Sequence, residues 1–228
     1  KTVYSLGDKS IKSVKVGGFM SKNLKTVMKD ASVYDCAKLM RRHKISSVII
    51  LNDNKTLAGI VTKTDLASVF LTQSASPLKV SKIMTRRVIT VMPGDSLLFV
   101  ESLLINNRIS RVVVQRNRKP VGIITYRDFV PAKLPQWIAE SADPKEVEKY
   151  KMGLRPTEFA VNQMSHLMHF KAVDIMSANP ITIEANEDVG VAVLLMIRNR
   201  ISGLPVVKNS KIVGIITKAD IVRAIAEM

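Results

Sequence analysis

The stretch GIVTKTD at residues 59–65 returns twice in the chain, as GIITYRD at 122–128 and as GIITKAD at 214–220. Each stretch follows a methionine by 38 or 39 residues, and the three methionines are Met20, Met84 and Met176. Self-similarity at a fixed spacing is the sequence signature of a repeated structural unit. The chain therefore contains three copies of one unit, which we call motifs 1, 2 and 3.

Each motif predicts the element order β-α-β-β-α. A short extended piece comes first, at residues 24–27, 88–91 and 181–183. A helix with apolar residues at helical spacing follows it, and good N-cap residues stand at each helix start: Ser32, Ser96 and Asp188. Two buried strands separated by a polar turn come next, the first of them at residues 48–51, 112–114 and 204–207. The second strand leads into the repeated Gly-x-x-Thr stretch and the final helix.

These strings, in this order, resemble the cystathionine-β-synthase (CBS) motif. The resemblance implies an α/β (α+β) fold in which motifs associate in pairs about a pseudo-two-fold axis, as a Bateman module, with two clefts between the halves. The predicted segments are an N-terminal piece, motif 1, motif 2, a helical insert and motif 3, at residues 1–16, 17–73, 78–131, 132–170 and 171–228.

The spacing of the motifs predicts which of them pair. Gly59 and Gly122 are 63 residues apart, whereas Gly122 and Gly214 are 92 apart. We therefore expect motifs 1 and 2 to form the pair within the chain. Motif 3 is then expected to pair with motif 3 of a second copy, giving a homodimer, unless the insert covers its apolar face. The insert, with a helix start at Asp143 and Pro144, is expected to be structural.

The formal charge of the chain is +16, and it is unevenly distributed. Residues 1–70 carry 13 Lys/Arg against 5 Asp/Glu and residues 71–130 carry 10 against 3, whereas residues 172–228 carry 6 of each. Such a field attracts anions: nucleotides, nucleic acid or an acidic protein. No apolar stretch approaches the roughly 20 residues of a membrane span. The single cysteine, Cys36, is expected to be a buried hydrophobe, and a reducing cytoplasm suits this cysteine usage.

The repeated stretch has a structural and a functional interpretation. A threonine followed three residues later by an acid, at a helix start, is a variant capping box. The same helix start offers free N–H groups to a phosphate. The resemblance implies that the acid holds ribose hydroxyls and the threonine contacts ribose or phosphate. The candidates are Thr62, Asp65, Thr125, Asp128, Thr217 and Asp220, with backbone contacts to the base around Thr26, Thr90 and Thr182. The basic candidate for the phosphates is Arg111, with Lys63, Arg127 and Lys218 as secondary candidates, and motif 2 is the fullest match.

The leading hypothesis from the sequence is a non-enzymatic regulatory module that senses AMP, ADP or ATP. A nucleic-acid-binding protein using the basic first half is the alternative, and an S-adenosylmethionine sensor is a further one, disfavoured because that ligand is itself positively charged. No catalytic constellation is recognisable, and the pair His166 and His169 lacks further metal ligands. If the chain is a piece of a longer protein, a catalytic domain could lie in the rest.

Overall fold

The computed structural model describes residues 15–18, 20–73, 77–129 and 170–228. The strands are β1 Thr26–Met28, β2 Ser47–Leu51, β3 Leu57–Thr62, β4 Thr90–Val91, β5 Arg111–Arg116, β6 Lys119–Thr125, β7 Ser177–Ala178, β8 Ile183–Glu184, β9 Gly203–Lys208 and β10 Lys211–Thr217. The helices are α1 Val33–His43, α2 Lys63–Gln73, α3 Val80–Ile83, α4 Leu97–Asn106, α5 Ala172–Ile175, α6 Val189–Arg198 and α7 Lys218–Ile225. Short 3₁₀ helices cover Val16–Gly18 and Tyr126–Phe129.

Each motif forms its own small sheet, which confirms the predicted mixed α/β class and its three repeats. In motif 1, β1 runs parallel to β2 across helix α1, and β2 and β3 form an antiparallel hairpin. Motifs 2 and 3 repeat this order. The predicted N-caps are confirmed, because the side chains of Ser32, Ser96 and Asp188 all accept hydrogen bonds from backbone N–H groups in the first turn.

The chain divides into two compact units. One unit comprises Ser21–Val88 and Pro180–Met228, so it holds motifs 1 and 3. The other comprises Lys1–Met20 and Ile89–Asn179, so it holds motif 2. The first unit has one hydrophobic core, to which both of its motifs contribute helices: Met40 of α1, Phe70 of α2, Met196 of α6 and Ile221 of α7 are all buried in it.

The predicted pairing is therefore wrong. Motif 1 packs its helices against motif 3, with α7 lying against both α1 and α2, and α2 against α6. Loop-closure entropy grows only slowly with loop length, so a connection 29 residues longer does not determine the partner. The partner is determined by burial of the apolar faces of the four helices, which stabilises the folded state by roughly 1.5–3 kcal/mol for each large side chain removed from water. The premise that motif 3 lacks a partner within the chain fails for the same reason.

The first residues of each later motif pack on a different motif. We call residues 77–88, at the start of motif 2, the second lead-in; it belongs to the unit of motif 3. The N–H groups of Val80 and Ser81 donate to the carbonyls of Glu187 and Ala185, each at 2.9 Å. Thr85 and Ile215 exchange two backbone hydrogen bonds of 2.9 Å, which extends the sheet of motif 3 along β10.

The third lead-in, residues 170–179, covers motif 2 in the same way. The N–H of Leu97 donates to the carbonyl of Phe170 at 2.9 Å, and that of Ala172 to Asp95 at 2.8 Å. Strand β7 pairs with β6, with Ser177 opposite Ile123. A methionine of each lead-in lies against the glycine of the repeated stretch, Met176 on Gly122 and Met84 on Gly214. An unpaired strand edge invites association, and both edges are closed by these segments.

Several sequence predictions fall outside the described residues. They are the insert at 132–170 apart from Phe170, most of the segment 1–16, and the end of motif 2 beyond Phe129. The prediction for Cys36 is confirmed, since the residue is buried in the core of the first unit. Among the described residues, every helix is too short or too polar to cross a bilayer.

Replacing Gly214 with Val tests the packing of the second lead-in on motif 3. A Cβ at this position would lie 2.5 Å from Sδ of Met84 and 3.1 Å from the carbonyl oxygen of Thr85. We expect a loss of about 1–3 kcal/mol in the free energy of unfolding, measured by urea denaturation, because overpacking forces neighbours to shift.

The matched variants are Met84→Ala and the double variant Gly214→Val/Met84→Ala. Because the small side chain at 84 makes room for Val at 214, the double variant should be less destabilised than the sum of the singles, by about 0.5 kcal/mol or more. Strictly additive losses would contradict the contact between the two residues.

Candidate functional site

The threonine and the acid of the repeated stretch adopt one geometry in all three motifs. In motif 1, Oδ2 of Asp65 accepts hydrogen bonds from the backbone N–H of Thr62 at 2.8 Å and from its Oγ1 at 2.7 Å. Motifs 2 and 3 repeat both bonds at 2.6–2.8 Å between Asp128 and Thr125 and between Asp220 and Thr217. The structural interpretation, helix capping, is thus confirmed in each motif.

The second carboxylate oxygen distinguishes motif 3. Oδ1 of Asp220 accepts a hydrogen bond of 2.9 Å from Oγ1 of Thr85 and forms a 2.7 Å salt bridge with Arg223. Arg223 also donates to the carbonyl of Ile83 at 2.6 Å. Asp220 is buried and has four donors on its two oxygens. Its carboxylate therefore fastens the second lead-in to motif 3, a role that the sequence alone did not suggest.

The three acids differ in their access to a ligand. Asp128 is buried, as Asp220 is. Asp65 is exposed, and from the described residues its Oδ1 accepts no hydrogen bond. The same acid of the repeated stretch thus has different surroundings in the three motifs. Motif 2 matches the sequence pattern most fully, yet the exposed carboxylate is that of motif 1.

The starts of helices α2 and α7 meet in the unit of motifs 1 and 3. Nζ of Lys218, the first residue of α7, donates a 3.0 Å hydrogen bond to Oγ1 of Thr64 in the first turn of α2. Lys63, the first residue of α2, is half-buried. Burial lowers the pKa of Lys63, and the negative charge of Asp220 partly opposes that shift. We call Lys63, Thr64 and Lys218 the basic corner. Two helix N-termini add their partial positive charge to its two ammonium groups.

The candidates in motif 2 stay together at one end of its sheet. Arg111 lies directly opposite Thr125 across β5 and β6. Its Nη2 is 3.5 Å from Oγ of Ser110. The N–H of Arg127 donates to Oγ1 of Thr125 at 3.3 Å, while the Arg127 side chain is exposed. These residues form a compact set within motif 2.

The three threonines expected near the base lie at or beside the first strands. Thr26 begins β1 and is exposed, with Ile49 of β2 as its neighbour. Thr90 begins β4 and accepts a 3.4 Å hydrogen bond from Nε2 of Gln115. Thr182 is half-buried and precedes β8 by one residue. In each motif, the central strand therefore separates this threonine from the capping threonine.

Sequence reasoning missed the basic corner as a joint feature. It identified Lys63 and Lys218 separately, but their proximity follows from the packing of motif 1 on motif 3, which was mispredicted. Thr85 was missed because it follows the lead-in methionine and is distant in sequence from Asp220. Among the described residues, no cluster of three or more His, Cys, Asp or Glu side chains is placed to hold a metal ion.

Comparison with known proteins gives matches over most of the chain. The CBS domain family matches residues 16–72, 80–134 and 172–227. Uncharacterised protein MJ1404 of Methanocaldococcus jannaschii is 31% identical over 181 residues, which cover 78% of this chain and 39% of that protein. Protein MJ1225 of the same organism is 24% identical over 211 residues, which cover 91% of this chain and 68% of that protein. The chain thus spans well under half of MJ1404.

Solved structures agree on the fold. The crystal structure of MJ1225, which has been proposed to be an archaeal homologue of g-AMPK, matches with a TM-score of 0.69 at 23% identity, over 89% of this chain and 67% of that one. An uncharacterised conserved protein from Pyrococcus horikoshii matches with a TM-score of 0.66 at 18% identity, over 90% and 80% of the two chains. At these identities the likeness concerns the fold.

Replacing Lys63 with Met tests the electrostatics of the basic corner. Because burial disfavours the charged form of Lys63, the variant should unfold at a higher temperature than the wild type at neutral pH. The gain in stability of the variant over the wild type should be fully present while the pH is below the lowered pKa of Lys63, where this lysine is charged in both folded and unfolded chains. It should vanish as the pH rises to about 10.4, where the unfolded lysine also loses its proton. Thermal melts at several pH values measure this, and a variant less stable than the wild type at neutral pH would contradict it.

Proposed function

The chain belongs to the CBS domain family, and from that premise we propose that it is a non-enzymatic regulatory module that binds an adenine nucleotide (AMP, ADP or ATP). The observation that carries the proposal is the exposed carboxylate of Asp65, which keeps one oxygen available beside the basic corner. A carboxylate and a cationic helix start, a few residues apart, suit the two polar ends of a ribose phosphate.

Asp65 would act as the ribose receptor. Its Oδ2 is held by the N–H and the hydroxyl of Thr62, so the carboxylate is fixed in one orientation. The remaining oxygen can accept a ribose hydroxyl without loss of the helix cap. In motif 3 the corresponding oxygen of Asp220 already receives Thr85 and Arg223, so a ribose there would have to displace protein donors.

The basic corner would receive the phosphate. Lys63 carries a cost from burial in the unliganded protein, because few charges compensate its ammonium group. A phosphate would supply that compensation and raise the pKa of Lys63 towards its usual range. The free energy lost by burying the lysine would then be recovered on binding, which favours a dianionic phosphate over a neutral ligand.

Regulation would follow from differential binding. A ligand shifts an equilibrium only if it binds one arrangement better than another. The basic corner joins the first turns of α2 and α7, so a phosphate there would stabilise the packing of motif 1 on motif 3 that brings these two helices together. A partner protein that binds only this arrangement of motifs 1 and 3 would then respond to the nucleotide concentration.

Isothermal titration of the chain with AMP, ADP and ATP tests the proposal, with Asp65→Asn as the diagnostic variant. We expect nucleotide affinity to fall about 10- to 100-fold in the variant, because a hydrogen bond to a charged group contributes about 1.5–3 kcal/mol. Asn keeps an oxygen for the cap, so the fold should survive.

The matched control is Asp35→Asn. Asp35 caps α1 with the same pattern, accepting from the N–H of Ser32 at 3.2 Å and from its Oγ at 2.6 Å, but it lies at a different helix start. The Asp35→Asn variant should bind nucleotide with the same affinity as the wild type. Equal losses in both variants, or no nucleotide binding by the wild type, would contradict the proposal.

Two further titrants separate the alternatives. S-adenosylmethionine lacks a phosphate and should bind more weakly than AMP. RNA binding through the basic first half would weaken steeply with added salt, because it releases counterions. Tight, strongly salt-dependent RNA binding without nucleotide binding would favour a nucleic-acid-binding protein instead.

A further inference from the structure

The lead-in of motif 1 and the surface that would receive a lead-in on motif 1 are both uncovered. We call the described residues 15–18, 20 and 21 the first lead-in. Val16 of this segment is 79% exposed, whereas the corresponding Val80 and Ala172 of the other lead-ins are fully buried. Met20 is 57% exposed, whereas Met84 is buried against motif 3. The first lead-in thus has the apolar side chains of the others without their packing.

The receiving surface on motif 1 shows the complementary exposure. Val33, the first residue of α1, is 38% exposed, whereas Leu97 and Val189 at the same position of motifs 2 and 3 are buried, and their N–H groups donate to lead-in carbonyls. Leu57 and Ile60 of β3 are also exposed, whereas Ile212 of β10, which corresponds to Leu57, is buried. No described atom lies within 4 Å of a Cβ built on Gly59, where Gly122 and Gly214 each meet a methionine.

The pattern in the rest of the chain specifies what fits this surface. The second lead-in covers motif 3 and the third covers motif 2, so motifs 2 and 3 exchange lead-ins reciprocally. The described residues of the first lead-in form hydrogen bonds only among themselves, unlike those of the other two lead-ins. Its methionine precedes β1 by six residues, the same separation as between Met84 and β4, where the lead-in docks away from its own motif. An extended edge such as β3, with a notch for alternate side chains, accepts an added strand.

We propose that motif 1 associates with motif 1 of a second copy of this chain by exchanging first lead-ins. Met20 of each copy enters the notch above Gly59 of the other, and Ser21 pairs with the edge of β3 as Thr85 pairs with β10. Because Thr85 also donates to the acid of the motif that it covers, Ser21 would compete with the proposed ribose for Asp65, so the dimer is the nucleotide-free form. Val16 of each copy covers Val33 of the other. Each copy carries both the segment and its receiving surface, so the contact is isologous and closes as a two-fold dimer.

Sedimentation equilibrium of the full chain over a wide concentration range tests the proposal. We expect a reversible dimer for the wild type. Gly59→Val puts a side chain into the notch, and because a Cβ there meets no described atom within 4 Å, the monomer should fold normally by circular dichroism. The dimer dissociation constant should rise at least about tenfold, because overpacking occurs at both symmetric notches. Met20→Ala should weaken the dimer in the same direction by removing the inserted side chain.

The matched control is Ala58→Val on the neighbouring position of the same strand. Motifs 2 and 3 carry Val121 and Val213 there, so an added side chain at this position is compatible with a docked lead-in. Ala58→Val should dimerise as the wild type does. A dimer that withstands Gly59→Val and Met20→Ala would overturn the proposal by placing the contact elsewhere. A wild-type chain that stays monomeric would also overturn the proposal. The exposed surface of motif 1 would then be expected to bind a CBS motif of another protein.

Discussion

The closure of open sheet edges by segments from elsewhere in the chain is the constraint on which this structure depends. A three-stranded sheet with one hairpin leaves its last strand unpaired on one side, and that edge must be covered or it will associate. In motif 3 the edge of β10 receives Thr85, and the missing side chain of Gly214 makes room for Met84. Motif 2 uses Ser177 and Met176 on Gly122 in the same way. The methionine is suited to this contact because its flexible, unbranched side chain fills irregular gaps.

The helix-start acid has two roles that share one carboxylate. One oxygen caps the helix in every motif, and the other differs with its surroundings. In motif 3 it fastens the lead-in through Thr85 and Arg223, so the acid contributes to packing. In motif 1, where no described strand pairs with the outer edge of β3, Asp65 is exposed, and its second oxygen is the basis for the proposed ribose contact. The state of the sheet edge and the availability of the acid are therefore linked across the repeats.

The local structure was predictable from sequence and the long-range arrangement was not. The N-caps at Ser32, Ser96 and Asp188 and the capping by Asp65 depend on residues two or three positions apart, so a single-sequence pattern contains all the information. The packing of motif 1 on motif 3 depends on which apolar helix faces fit together, and linker length carries almost none of that information. The basic corner was missed for this reason. The salt bridge of Asp220 with Arg223 lies within one helix and could have been anticipated from the i, i+3 spacing.

Amide hydrogen exchange at Thr85 and Ile215 tests the central claim most directly. Their two N–H groups donate to each other's carbonyls and form the only described link of that kind between the second lead-in and β10. The account predicts that both amides are protected as strongly as the core strand β9, because the lead-in leaves the edge only when the unit unfolds. Rapid exchange of both amides, while β9 stays protected, would show that the lead-in does not close the sheet and would contradict the account.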